Sequence, residues 1–183
     1  MTRSGTRPIL FALIAAITVS GAPKAARSQD GADGYEPGLR TASGEGIDTL
    51  EGYLRWPTAF LQQEVAERYL PAGTRASWET ALSYWKSRTD HATVLAFGPA
   101  FEFRLPAHHW HLGVGLQPTL FSDYESEDRT LGGPFEFTSH IGLRWRPSRD
   151  ILVGARVQHT SNAGIYNRNP GIDLFALELG ARF

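Results

Sequence analysis

From about Ser77 to Phe183 the chain repeats one pattern: runs of about ten to fifteen residues that alternate large apolar with polar or small side chains, broken by turn residues. Successive side chains of a strand point to opposite faces, so each run presents one apolar and one polar face. Phe135, Phe137, Ser139, Ile141, Leu143 and Trp145 share one face of such a run, opposite Glu136, Thr138, His140, Gly142 and Arg144. Ile151, Val153, Ala155 and Val157 oppose Leu152, Gly154, Arg156 and Gln158. Phe175, Leu177, Leu179, Ala181 and Phe183 oppose Ala176, Glu178, Gly180 and Arg182. Similar runs cover Trp78 to Tyr84, Leu95 to Arg104 and Trp110 to Leu120.

A soluble sandwich also alternates, but it does not gather its charges on the crowded face. Here the minor face mixes Glu, Arg, His, Gln and Gly, which suits the interior of a narrow barrel, while the major face is apolar with Trp, Tyr and Phe toward the strand ends, as at membrane interfaces. Arg104, Arg144, Arg156 and Arg182 with Glu102, Glu136 and Glu178 are expected to form interior ion networks. Connections alternate in length. Pro71–Thr74, Leu105–His108 and Arg146–Arg149 read as tight turns; Ser87–Asp90, Ser122–Gly133 and Asn162–Ile172 read as loops on the outer side. The pattern therefore predicts an all-β fold: an eight-stranded antiparallel up-and-down transmembrane β-barrel. Six strands are clear. The other two are expected at about Ile47–Trp56 and Phe60–Leu70, although Leu61–Leu70 also fits an amphipathic helix.

The N-terminus reads as an export signal. Arg3 and Arg7 precede the apolar run Ile9–Gly21 and a small-residue exit at 22–28. That run is short of the about 20 apolar residues that span a bilayer. The expected organisation is a signal peptide at 1–28, a flexible Gly-, Asp- and Ser-rich segment at 29–46, and the barrel at 47–183, in the outer membrane of a bacterial cell. The composition excludes other classes. With no cysteine there is no disulfide, thiol catalysis or lipoprotein anchor, and a formal net charge of −1 gives no footprint for nucleic acid.

Parity also exposes an anomaly. His159 and Ser161 continue the odd, lipid-facing register of Ile151 to Val157, and Asp173 continues that of Phe175 to Phe183. Polar side chains that interrupt a lipid face are costly unless they act. A serine needs a base to take its proton and a carboxylate can orient that base, so the three residue types suit nucleophilic ester hydrolysis. Loop amides and the carboxamide of Asn162 or Asn169 are candidates to stabilise an oxyanion, and Asn162 also suits a structural turn.

The string His159-Thr-Ser-Asn-Ala-Gly164, followed by Asn169-Pro-Gly-Ile-Asp173, resembles the lipid A 3-O-deacylase (PagL) family, also called the acyloxyacyl hydrolase family of outer-membrane barrels. The motif covers about fifteen residues, and a wider likeness runs from about Ser77 to Phe183 but not before about residue 75. The resemblance implies Ser161 as nucleophile, His159 as general base, Asp173 as orienting acid and Asn169 as oxyanion support. The family usually has glutamate where this chain has Asp173. It further implies lipid A, or lipopolysaccharide, as substrate, with an ester-linked 3-hydroxyacyl chain removed at the 3-O position. Outer-membrane lipid surrounds the barrel, and no cofactor or metal is needed. The residues alone leave open a structural or adhesive barrel without catalysis and an outer-membrane acyltransferase, as well as whether the barrel forms a homodimer. The cluster His108, His109 and His111 reads as a polar interface patch rather than a metal site, and the acidic run Asp123–Asp128 as a solvated loop.

Overall fold

The computed structural model describes residues 34–107, 109–125 and 131–183; the signal peptide expected at 1–28 lies outside them. Eight antiparallel strands pair in chain order: β1 (Glu36–Gly44), β2 (Ile47–Pro57), β3 (Arg75–Lys86), β4 (His91–Arg104), β5 (Trp110–Phe121), β6 (Phe135–Trp145), β7 (Ile151–Ser161) and β8 (Ile172–Ala181). The barrel closes where Gly38–Ser43 of β1 pair with Phe175–Gly180 of β8. Closure pairs every strand on both sides, which a sheet in hydrocarbon requires.

β1 corrects the expectation that 29–46 is a flexible segment: residues 36–44 of it form a strand. Its outward side chains are Pro37, Leu39, Thr41 and Ser43, too little apolar surface to signal a strand. Tertiary pairing supplies what periodicity lacked, because β1 fills the gap between β2 and β8. Glu45 and Gly46 make the tight β1–β2 turn, both with positive φ (50° and 80°), as the twist of a two-residue hairpin demands. β2 agrees with the expected strand.

The stretch at Phe60–Leu70 is helical, not a strand: π-helical over Phe60–Ala66 and then one α-helical turn, Glu67–Tyr69. Its repeat fits a helix, with Glu64 and Arg68 paired at 2.9 Å one turn apart. Leu61 and Ala66 pack on Ala76, with Trp78 and Phe101 alongside. Gln62 bridges helix and sheet by donating to the Thr74 carbonyl (3.1 Å) and accepting from the Ala76 amide (3.0 Å). The 71–74 turn thus belongs to a long β2–β3 connection.

Parity holds along the strands. Leu82, Leu95, Leu116, Leu143, Val157, Leu177 and Leu179 are exposed on the outer wall, while Leu152, Ala176 and the charged residues face inward. The interior is held by ion pairs. Arg40 binds Glu51, Glu79 and Glu178, and Arg55 binds Glu79, Glu36 and Glu178. Arg144 reaches Glu178 at 2.8 Å, and Arg146 forks onto both oxygens of Glu102 at 3.0 and 2.8 Å. Tyr53 lies between the guanidinium groups of Arg40 and Arg55, at 4.4 and 4.5 Å from its ring centre. Two members expected in this network stand outside it. Arg104 is exposed at the barrel mouth because it ends β4, and the Glu136 carboxylate is buried without an ion pair among the described residues. Toward the loop-bearing end the interior turns apolar around Trp85, Val94, Phe121, Leu131, Ile172 and Leu174.

Candidate active site

β7 and β8 carry the anomaly found by parity. His159 and Asp173 are register partners, and His159 Nδ1 lies 2.7 Å from Asp173 Oδ1. Both side chains are exposed on the outer wall, at 51% and 73%. An exposed pair contributes little to stability, on the order of 0–1 kcal/mol. Its effect is orientation: a carboxylate on Nδ1 turns Nε2 toward an incoming group. Ser161 stands two residues further along β7, half-buried and opposite Phe137 on β6. That step is about 6.6 Å along a strand. Ser161 makes no hydrogen bond to His159 among the described residues, so the structure brings His159 and Asp173 together and leaves Ser161 beside them.

The β7–β8 loop is built around Asn162, which is wholly buried. Its Nδ2 donates to the carbonyls of Leu131 (2.9 Å) and Arg168 (2.6 Å), and its Oδ1 accepts from the Gly164 amide (2.9 Å). The carboxamide is therefore committed to the loop rather than available to an oxyanion, which corrects one of the two asparagine expectations and matches the structural alternative. Ala163 and Gly164, with φ of 54° and 83°, make the turn closed by Ile165 N to Asn162 O at 3.0 Å. Asn169 is exposed, and its Oδ1 accepts from the Asn162 backbone amide at 3.0 Å. With its oxygen held inward, its NH2 group is the donor end that remains.

Residues without a role in the sequence reading also shape the site. Gly171 has a φ of 67°, and a Cβ on it would stand 2.7 Å from His159 Cε1, so only glycine lets the backbone lie against the imidazole. Gly132 and Gly133 let the β5–β6 loop dock on this one: a Cβ would meet Arg168 O at 2.4 Å and the Tyr166 ring at 2.2 Å. A Pro-Gly pair ahead of Asp173 and a Gly-Gly pair before β6 were the available signals, but neither says what the glycine touches.

The family described as "Lipid A 3-O-deacylase (PagL)" matches residues 48–182, which span β2 to the end of β8 and hold His159, Ser161, Asn169 and Asp173. This chain belongs to the lipid A 3-O-deacylase family. The family match begins after β1, the strand that carries the weakest pattern. The lipid A deacylase PagL of Bordetella bronchiseptica (strain RB50) is 32% identical over 109 residues, covering 57% of this chain and 61% of that protein. The lipid A deacylase PagL of Pseudomonas aeruginosa is 30% identical over 104 residues, covering 55% and 60%. The aligned part of this chain thus spans about three fifths of the length of those relatives. The crystal structure of the outer membrane enzyme PagL superposes with a TM-score of 0.64 at 21% identity, covering 79% of this chain and 97% of that one, a likeness of fold. A lipid A 3-O-deacylase-family barrel with an apolar outer belt resides in the outer membrane.

Proposed function

We propose that this chain is an outer-membrane serine esterase that removes an ester-linked 3-hydroxyacyl chain from the 3-O position of lipid A. The observation that carries the reading is the 2.7 Å contact between His159 and Asp173 on the lipid-facing wall, one strand step from a serine. Two relatives bear the name lipid A deacylase. A site on the outer wall meets an ester in the bilayer without drawing the lipid into the barrel.

Ser161 Oγ attacks the ester carbonyl carbon while His159 Nε2 takes its proton, a contact that tightens when substrate fills the gap. Asp173 holds the ring and stabilises the imidazolium. The Asn169 NH2 and loop amides stabilise the oxyanion. Collapse of the tetrahedral intermediate expels the sugar alkoxide, which takes the proton from His159 and leaves an acyl group on Ser161. Water, deprotonated by His159, then releases the fatty acid and restores the serine.

Mass spectrometry of lipid A from cells expressing the wild type and Ser161→Ala tests this. Loss of one 3-hydroxyacyl chain with the wild type, and none with the variant, is expected. An added chain would instead identify an acyltransferase, and identical lipid A in both would leave a structural barrel.

A further inference from the structure

Ser139 on β6 is the cross-strand partner of His159, on the side opposite Asp173. It is exposed on the outer wall, amid Ile141 on its own strand and its β5 partner Leu116. Two outward hydroxyls elsewhere in the barrel are tied to the backbone, Thr41 donating to the Thr49 carbonyl at 3.0 Å and Thr80 to the Ala96 carbonyl at 3.3 Å. Ser43, whose register partners are Asp48 and Phe175, is exposed without such a bond among the described residues but lies outside the His159 row. No such bond holds Ser139 among the described residues. A hydroxyl facing hydrocarbon without a partner is unfavourable, so a partner that arrives with the substrate accounts for it.

The geometry names the group. Ser161 and its partner Phe137 lie one step, about 6.6 Å, nearer the loop end than the His159–Ser139 row. An acyl chain whose ester carbonyl sits at Ser161 runs from there toward the membrane interior, past that row. In a 3-hydroxyacyl ester, the polar group met on this path is the C3 hydroxyl, two carbons from the carbonyl. We propose that Ser139 Oγ hydrogen-bonds the C3 hydroxyl of the departing acyl chain and makes the site selective for 3-hydroxyacyl esters over unhydroxylated ones. This rests on the reading of Ser161 as the nucleophile toward such esters. Ser139 is a specificity residue that touches substrate and takes no part in proton transfer.

Two synthetic glucosamine 3-O-esters, identical except for the C3 hydroxyl, separate the two claims when kcat/KM is measured for the full barrel in detergent. Heat-shifted migration on a gel verifies that each variant is folded. The wild type is expected to favour the hydroxylated ester. Ser139→Ala should lower that preference ratio about tenfold, the effect of one hydrogen bond, and Ser139→Thr should restore it. A ratio unchanged in Ser139→Ala, or a wild type that cleaves both esters equally, overturns the proposal. So does a Ser139→Ala barrel as inactive as Ser161→Ala on both, since the hydroxyl would then serve the chemistry itself. A Ser161→Ala barrel that still cleaves either ester overturns instead the reading of the nucleophile.

Discussion

Gly171 meets His159 where a side chain has no room: a Cβ there would stand 2.7 Å from the imidazole Cε1, and the backbone φ is 67°. The ring is held between this backbone and the carboxylate of Asp173, 2.7 Å from Nδ1. Gly171→Ala adds both a clash and left-handed strain of about 1 kcal/mol or more. Deacylation by the folded variant is expected to fall by at least about tenfold, since displacement of the base misaligns it. A folded Gly171→Ala barrel with wild-type turnover would contradict this packing.

Asp173 already reaches His159 with the shorter side chain. Lengthening it should therefore bring no gain, and Asp173→Glu is expected to deacylate at or below the wild-type rate. Asp173→Asn keeps the shape and removes the charge that stabilises the imidazolium; a loss on the order of 10⁴-fold accompanies that change in a serine protease triad, and a fall of at least 10²-fold is expected here. Initial rates of fatty-acid release by the three proteins check both. A severalfold gain in Asp173→Glu would mean that the aspartate is badly aimed.

Asn162 joins three segments of the outer loops through its buried carboxamide, to Leu131, Arg168 and Gly164. Asn162→Ala removes all three bonds, each worth about 1 kcal/mol net, without touching the strands. The barrel should fold, while cleavage of the loop at 163–171 by protease added to intact cells should rise sharply. Resistance equal to wild type would show that other contacts order the loop.

Arg40 neutralises carboxylates from three other strands. Arg40→Ala leaves Glu51, Glu79 and Glu178 short of a counterion inside the barrel, and removal of one partner of a buried ion pair costs about 3–5 kcal/mol. Urea unfolding in detergent should show a midpoint well below wild type. A substitution on the outer face, Leu177→Arg, should cost about 2–4 kcal/mol in a bilayer and much less in detergent, where the head group finds water.

Much of the barrel was legible because parity is a local property. Leu152 and Val153 reveal their faces from their immediate neighbours, and β3 to β8 follow. β1 was not legible: its outward face holds Pro37, Thr41 and Ser43, and its inward Glu36 and Arg40 look like solvent-exposed charges until Arg55 and Glu51 are set against them. The stretch at Phe60–Leu70 fits either period, and what decides for helix is its packing on Ala76 and the Gln62 bridge. In the site, the residue types of His159, Ser161 and Asp173 were legible, but Asn162 offered two roles until its hydrogen bonds were counted.

By itself, the sequence determined which face of the wall the side chains of β3 to β8 take, and so that His159, Ser161 and Asp173 share the outer face. It did so because a strand's period of two needs no knowledge of its neighbours. Only the tertiary structure decided the register. Pairing His159 with Asp173 on one side and Ser139 on the other depends on the turn between β7 and β8 and on barrel closure. A slip by one residue would have turned the same side chains into the barrel.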